Sequence, residues 1–287
     1  MSETLPQVNR ETARERAERY VPGPGLQAAA EVALELGLPL LLTGEPGTGK
    51  TDLAHYLAHR YTNGDALVFH TKSTSVYTDL FYSYDALGHY RAGGEASGFI
   101  ELEALGKAIQ KAEQFETRSV VLVDEIDKAP RDLPNDILHE IEEMEFRIKE
   151  TKASHKADPK YQPILIFTSN RERDLPEAFL RRCVFYFIDF KEVPLEEIIL
   201  NRFQLKERPA AKELAERAMK HFTSIRDAGK LEKPPATAEL IAWVDYLLRK
   251  KIDTTASDEK TRQALAISYS LLAKTDEDLK KIKKQFA

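Results

Sequence analysis

Apolar positions along the chain fall into two regimes. Between residues 38 and 188 they gather into short continuous runs at 38–43, 66–70, 120–125, 164–170 and 184–188. Runs of this length, rich in Leu, Val and Ile, suit strands of a parallel sheet buried on both faces. Helical spacing separates them. Residues 26–36 read as an alanine-rich helix leading into the first run, and 52–60 as a helix following it. Residues 132–146 set Leu133, Ile137, Ile141 and Met144 on one helical face. Strands alternating with helices predict an α/β domain, a parallel sheet sandwiched by helices.

Two stretches interrupt this rhythm. Residues 71–113 hold Tyr77, Phe81, Tyr82, Tyr84, Tyr90 and Phe99, broken at Gly93-Gly94 and Gly98. The pattern predicts a helix from about Val76, a glycine-bearing interruption, and a helix from about Ile100. The aromatic set is either core or the lining of a working surface. Residues 147–162 are polar and predict a protruding hairpin or loop. Lys149, Lys152, His155, Lys156 and Lys160 make it basic, as a solvated tip or a partner surface. Upstream, a charge-rich helical stretch over 11–20 runs into a turn with two prolines and two glycines.

After Phe190 the strands stop. Leu240, Ile241, Val244, Leu247 and Leu248 recur at helical spacing, with Thr237 as N-cap behind Pro234-Pro235. Thr275 to Asp278 open a last helix with acid in its first turn and lysines in its later turns, complementing the dipole. This predicts two domains: an α/β core over 1–190 and a small all-α domain over 191–287.

Composition narrows the class. The 287 residues are 42% hydrophobic and 31% charged, with a net charge of −5, which fits a globular protein and gives no global pull toward nucleic acid. One cysteine, Cys183, excludes an internal disulfide framework. The first twenty residues have no secretory apolar region, and no run approaches membrane-span length. The expectation is a cytoplasmic protein with no membrane association.

Candidate chemistry sits at the ends of the predicted strands. Gly44, Glu45, Pro46, Gly47, Thr48, Gly49, Lys50 and Thr51 fit G-x-x-x-x-G-K-[ST], between the first strand and the helix that opens with Asp52. Glycines let such a loop aim backbone N–H groups at phosphate oxygens. Lys50 can reach the β- and γ-phosphates of ATP, and the Thr51 hydroxyl can ligate Mg²⁺. Asp124 and Glu125 end the third strand, where ligands of open parallel sheets bind. Asp124 can hold the metal and Glu125 can orient or deprotonate the attacking water. Asn170, ending the fourth strand, can hold that water or touch the γ-phosphate. Tyr20 and Val21 either contact the nucleotide base or form a linker. His55 and His59 have i, i+4 spacing but no third metal ligand, and Cys183 has no paired histidine.

In order, these elements resemble an AAA+ ATPase. The resemblance implies a five-stranded P-loop NTPase sheet followed by a helical lid. Gly44–Thr51, then Val121 to Ala129, then Leu175-Pro176-Glu177-Ala178 are closest to the MoxR branch. Residues 81–103 look like its helix-2 insert, and 147–162 like its hairpin before sensor 1. The resemblance implies ATP hydrolysis with Mg²⁺ in a homo-oligomeric ring, commonly a hexamer. It also implies a protein client, such as a von Willebrand A-type protein, to be remodelled. By motif position Arg182 matches the arginine finger supplied to a neighbouring subunit, with Arg181 as alternate. One departure stands out: where the family carries a sensor-2 arginine, near Ala238, this chain has alanine. Lys233 or Arg226 could substitute. An ATP-dependent assembly switch in a signalling or defence complex is the second functional expectation, and a DNA-dependent AAA+ protein the third.

Overall fold

The computed structural model describes residues 12–62, 64–228 and 231–286. Its strands are β1 (Leu40–Gly44), β2 (Leu67–His70), β3 (Tyr82–Tyr84), β4 (Ile100–Leu102), β5 (Val120–Asp124), β6 (Glu145–Arg147), β7 (Ser154–Lys156), β8 (Ile164–Ser169) and β9 (Val184–Ile188). The chain divides into two compact units. The first holds the described residues up to Tyr20, Leu26–Thr43 and Lys50–Phe187; the second holds Val21–Gly25, Gly44–Gly49 and the chain from Ile188.

The first unit is built on a five-stranded parallel sheet in the order β2-β5-β8-β1-β9. Each of the five apolar runs becomes one of its strands. Leu40 to Leu42 and Val120 to Val123 are almost fully buried, as strands covered on both faces must be. In register, Leu41 lies beside Phe167 and Val123 beside Phe167 from the other side, so β8 is flanked by β1 and β5. That order brings the carboxyl ends of β1, β5 and β8 to one edge.

The helices of this unit are α1 (Ala13–Arg19), α2 (Pro24–Leu36), α3 (Lys50–Thr62), α4 (Ala86–Ala92), α5 (Ala104–Gln114), α6 (Leu133–Asp136), α7 (Leu138–Glu143) and α8 (Glu177–Leu180). Thr12 caps α1 reciprocally with Glu15, whereas Glu11, at the head of the predicted helix, lies outside the described residues. The alanine-rich pattern forms α2 as expected. The helix expected over 132–146 is broken: Ile137 separates α6 from α7, and Met144 turns left-handed (φ 47°) to start β6. β6 and β7 pair antiparallel, with Phe146 opposite His155; the pair starts at Glu145, before the hairpin or loop expected over 147–162.

The aromatic segment departs most from expectation. No α-helix starts at Val76; a single 3-10 turn spans Tyr77–Leu80. β3 then pairs antiparallel with β4, and the two strands frame α4. The helix expected from Ile100 begins only at Ala104. The reason is the local period: Tyr82-Ser83-Tyr84 and Ile100-Glu101-Leu102 alternate apolar with polar residues, which suits a strand. Phe81 and Tyr82 are buried, whereas Tyr90 on α4 is 88% exposed.

The second unit packs α9 (Leu195–Arg202), α10 (Pro209–Asp227), α11 (Thr237–Lys250), α12 (Glu259–Ser268) and α13 (Asp276–Phe286). Trp243, Tyr269 and Phe222 are fully buried at its core. Trp243 Nε1 donates to Ser268 Oγ at 2.8 Å, so the indole is buried with its donor satisfied. Ala236, not Thr237, occupies the N-cap of α11; its N–H donates to the Glu239 carboxylate at 3.0 Å. Thr237 is the first helical residue, and its buried hydroxyl has no partner. Among the described residues, no helix is long and apolar enough to cross a membrane.

Candidate active site

In the first unit, a hydrogen-bonded chain links the strand ends. Thr51 Oγ1 donates to Asp124 Oδ1 at 3.2 Å. Thr168 Oγ1 donates to the same oxygen at 2.6 Å and accepts from the Glu125 N–H at 2.8 Å. Asn170 Nδ2 donates to Glu125 Oε1 at 2.9 Å, and Lys128 Nζ to Glu125 Oε2 at 2.5 Å. Glu125 takes the left-handed conformation (φ 55°, ψ 51°), uncommon for a side-chain-bearing residue. The parallel ladder ends at Asp124, and this reversal starts the turn through Ile126–Lys128. Thr51, Asp124, Glu125 and Asn170, separate in sequence, are thereby brought together.

Residues beyond the motif pattern complete the cluster. Asp127 is buried (2%); its Oδ2 accepts from the N–H groups of Asn170 at 3.2 Å and Glu172 at 2.9 Å, and fixes the turn after β8. Its other oxygen, Oδ1, is buried with no partner. His70, at the end of β2, places Nδ1 3.5 Å from Asp124 Oδ2. The hydrogen bond to Glu125 raises the Lys128 ammonium above its ordinary value, with the Glu125 charge adding to it. One clue to Thr168 was available: it sits two residues before Asn170, on the strand neighbouring β5. A carboxylate and a hydroxyl side by side are the kind of oxygen donors that Mg²⁺ takes. Lys50, first residue of α3, is buried.

In the second unit lies the glycine loop. Gly44, Gly47 and Gly49 all have positive φ. The Thr48 hydroxyl donates to the Glu45 carbonyl at 2.8 Å. Arg226 Nη2 donates to Glu45 Oε2 and Nη1 to the Pro235 carbonyl, each at 2.6 Å. A Cβ on Gly47 (φ +78°) would lie 3.2 Å from the Ala236 methyl and 3.4 Å from that of Ala238. The Lys233 N–H donates to Asp278 at 3.1 Å.

The remaining candidates make other contacts. Tyr20 packs its ring 5.5 Å from that of Tyr56 on α3, and its phenol is raised by burial and by Asp52. Val21 is half-buried in the second unit. Asp52 faces Arg16 at 3.7 Å. Arg182 is held by Glu142 of α7, and its Nη1 donates to the Ala178 carbonyl at 2.9 Å. Arg181 is paired with Glu177. His55 is lowered by burial and then by Arg16, and among the described residues no His, Cys, Asp or Glu group of three or more could hold a metal. Burial pushes the Cys183 thiol up to about 12, the mark of an inert cysteine.

A five-stranded parallel sheet whose first strand leads through a glycine loop into a helix, followed by a helical C-terminal part, defines the fold of an AAA-type P-loop NTPase. Residues 39–183 match the AAA domain of the dynein-related subfamily, and the chain belongs to that family of ATPases. Solved structures are similar to the chain at low identity. NtrX from Brucella abortus, in complex with ADP, is 16% identical with a TM-score of 0.51; the match covers 83% of this chain and 53% of NtrX, so the chain spans about half that protein's length. A Cytophaga hutchinsonii protein proposed to be an ATPase is 15% identical, with a TM-score of 0.45 and coverage of 96% and 84%. Domain III of the Thermotoga maritima replication initiation protein DnaA is 16% identical, with a TM-score of 0.46 and coverage of 89% and 94%. No curated protein matches the sequence significantly.

Proposed function

We propose that the protein is a MoxR-type AAA+ ATPase that hydrolyses ATP with Mg²⁺, as a ring oligomer, to remodel or assemble a protein partner. The observation that carries this is the Thr51–Asp124–Thr168–Glu125–Asn170 chain of hydrogen bonds at one sheet edge. Bound Mg²⁺ would polarise the phosphoryl oxygens of ATP. Thr51 and Asp124 are the oxygens that would hold it. Lys50 would add positive charge on the phosphates, and the 44–49 loop would present its amides. Glu125 takes the proton of the attacking water, and Asn170 fixes that carboxylate. Arg182 serves a neighbouring subunit. The β3–α4–β4 insert and the β6–β7 hairpin support the MoxR assignment, since each falls where that branch carries an extra element. A von Willebrand A-type protein fits as client on the same resemblance.

A second reading has its own observation. Lys128 and Asn170 hold both Glu125 oxygens, and Glu142 holds Arg182, all within one chain. Such a resting state suits an assembly switch that turns over only when a partner displaces these contacts. Steady turnover stimulated by a protein partner favours remodelling, whereas tight ATP binding with negligible turnover favours the switch; calorimetry and turnover of two variants test the ATPase reading that both share. Lys50→Ala is expected to abolish ATP binding; Glu125→Gln is expected to bind ATP normally and lose about 10²–10⁴-fold in turnover, the usual worth of general-base catalysis. Undiminished turnover by Glu125→Gln would overturn the assignment.

A further inference from the structure

We infer that Arg226 is a positioning residue for nucleotide, anchoring and neutralising the carboxylate that this chain carries inside its phosphate-binding loop, Glu45. The inference rests on the ATPase reading above. The loop pattern leaves the second position open, and here it is filled by an acid. A carboxylate there repels the polyphosphate that the loop's amides attract. Arg226, 181 residues away, removes that repulsion: its Nη2 donates to Glu45 Oε2 at 2.6 Å.

The arginine is built in rather than loosely paired. Its side chain is only 12% exposed, its Nη1 donates to the Pro235 carbonyl at 2.6 Å, and its guanidinium carbon lies 3.6 Å from the centre of the Phe190 ring. A planar, permanently charged fork can satisfy all three at once; an ammonium cannot. The same arginine therefore ties the loop to the segment leading into α11. That segment also supplies the Ala236 and Ala238 methyls against Gly47. At Ala238, where the resemblance places an arginine for the phosphate, a methyl faces the loop. The cation comes instead from α10, and it meets a protein carboxylate.

The test is a charge-removal double-mutant cycle on the full chain, read as MgATP affinity by fluorescence titration at two salt concentrations. Arg226→Gln removes this cation from Glu45 and is expected to weaken binding about tenfold, the worth of one charge-assisted hydrogen bond, with a larger loss at low salt. Glu45→Gln in that background removes the repulsion and should return affinity to within about threefold of native, the non-additivity expected of coupled sites. A purely structural arginine predicts the opposite: the double variant would be as weak as Arg226→Gln, and that result overturns the inference, as does native affinity in Arg226→Gln. If Arg226→Gln does not fold, Arg226→Lys takes its place, with a loss of about threefold that Glu45→Gln again rescues; no loss, or no rescue, overturns the inference. Failure of the native chain to bind ATP would bring down the ATPase reading and this one with it. Native binding with unresponsive variants would bring down the role of Arg226 alone.

Discussion

At the residue scale, one hydroxyl carries more than its motif suggests. Thr168 donates to Asp124 and accepts from the Glu125 N–H, so a single oxygen sets the relative position of both acids. Thr168→Val keeps the shape and removes the oxygen. It leaves a donor unpaired, which costs about 1–3 kcal/mol, and releases Asp124. The expected outcome is lower stability in urea melts and about tenfold weaker Mg²⁺ dependence of turnover, the effect of losing an outer-shell partner. Thr168→Ser should restore both. What was legible at this scale was local: Gly44–Thr51, Asp124, Glu125 and Asn170 declare themselves because each sits at the end of an apolar run. Thr168, Asp127 and Arg226 do not, because each draws its meaning from a contact 43 to 181 residues away. An aspartate that caps a turn and one that holds a metal are the same letter until the neighbouring strand is in place.

At the element scale, close approach overrides propensity. Replacing a mid-helix glycine by alanine ordinarily stabilises a helix by about 1 kcal/mol. Gly106 on α5 is an exception, since a Cβ there would lie 1.9 Å from the Phe81 carbonyl oxygen. That carbonyl also accepts from the Glu103 N–H at 2.8 Å, and the Phe81 ring stacks 5.2 Å from Phe146, so the obstacle cannot swing aside. Gly106→Ala should therefore destabilise, by about 1–3 kcal/mol as overpacking does, measured by thermal or urea unfolding. The aromatic segment departs from its helical pattern for a related reason. Three-residue strands are too short for period two to outweigh a helical reading of the flanks, and their pairing spans sixteen or more residues. The central strands β1, β5 and β8 were legible because burial on both faces leaves an unbroken apolar run, and the part-buried edge strands β2 and β9 carry apolar runs as well. The last helix supplies a pH-dependent element. Asp278 is fully buried, which by itself raises its carboxyl, but N–H groups of Glu232 and Lys233 outweigh burial and hold it below its ordinary value of 3.8. The unfolded chain then takes up the proton first. The stability this gives is complete above about pH 4 and is lost as pH falls through the folded value. Asp278→Asn should be about 1–3 kcal/mol less stable at neutral pH and lack that acid-dependent component.

At the scale of the whole molecule, the ring proposed above would complete the charge for phosphoryl transfer between neighbouring chains. Lys50 is buried, Arg226 is committed to Glu45, and Arg182 is held on the first unit by Glu142 and the Ala178 carbonyl. Arg182, itself 38% exposed, is weakly held by the half-exposed Glu142, since pairs exposed on both sides are worth about 0–1 kcal/mol. A neighbour's triphosphate, with more charge and bidentate geometry, would outcompete Glu142. This makes two variants complementary. Arg182→Ala keeps its own loop and acids but offers no finger; Lys50→Ala offers a finger but holds no nucleotide. Each should be inactive alone, with Arg182→Ala still binding ATP and its turnover down by about 10³-fold or more. Mixed in equal amounts before assembly, about a quarter of the heterologous contacts in a ring join an intact site to an intact finger, so turnover should return to roughly a quarter of native. The measurement is ATPase rate against mixing ratio. A curve that stays flat at every ratio would place the arginine's work within its own chain.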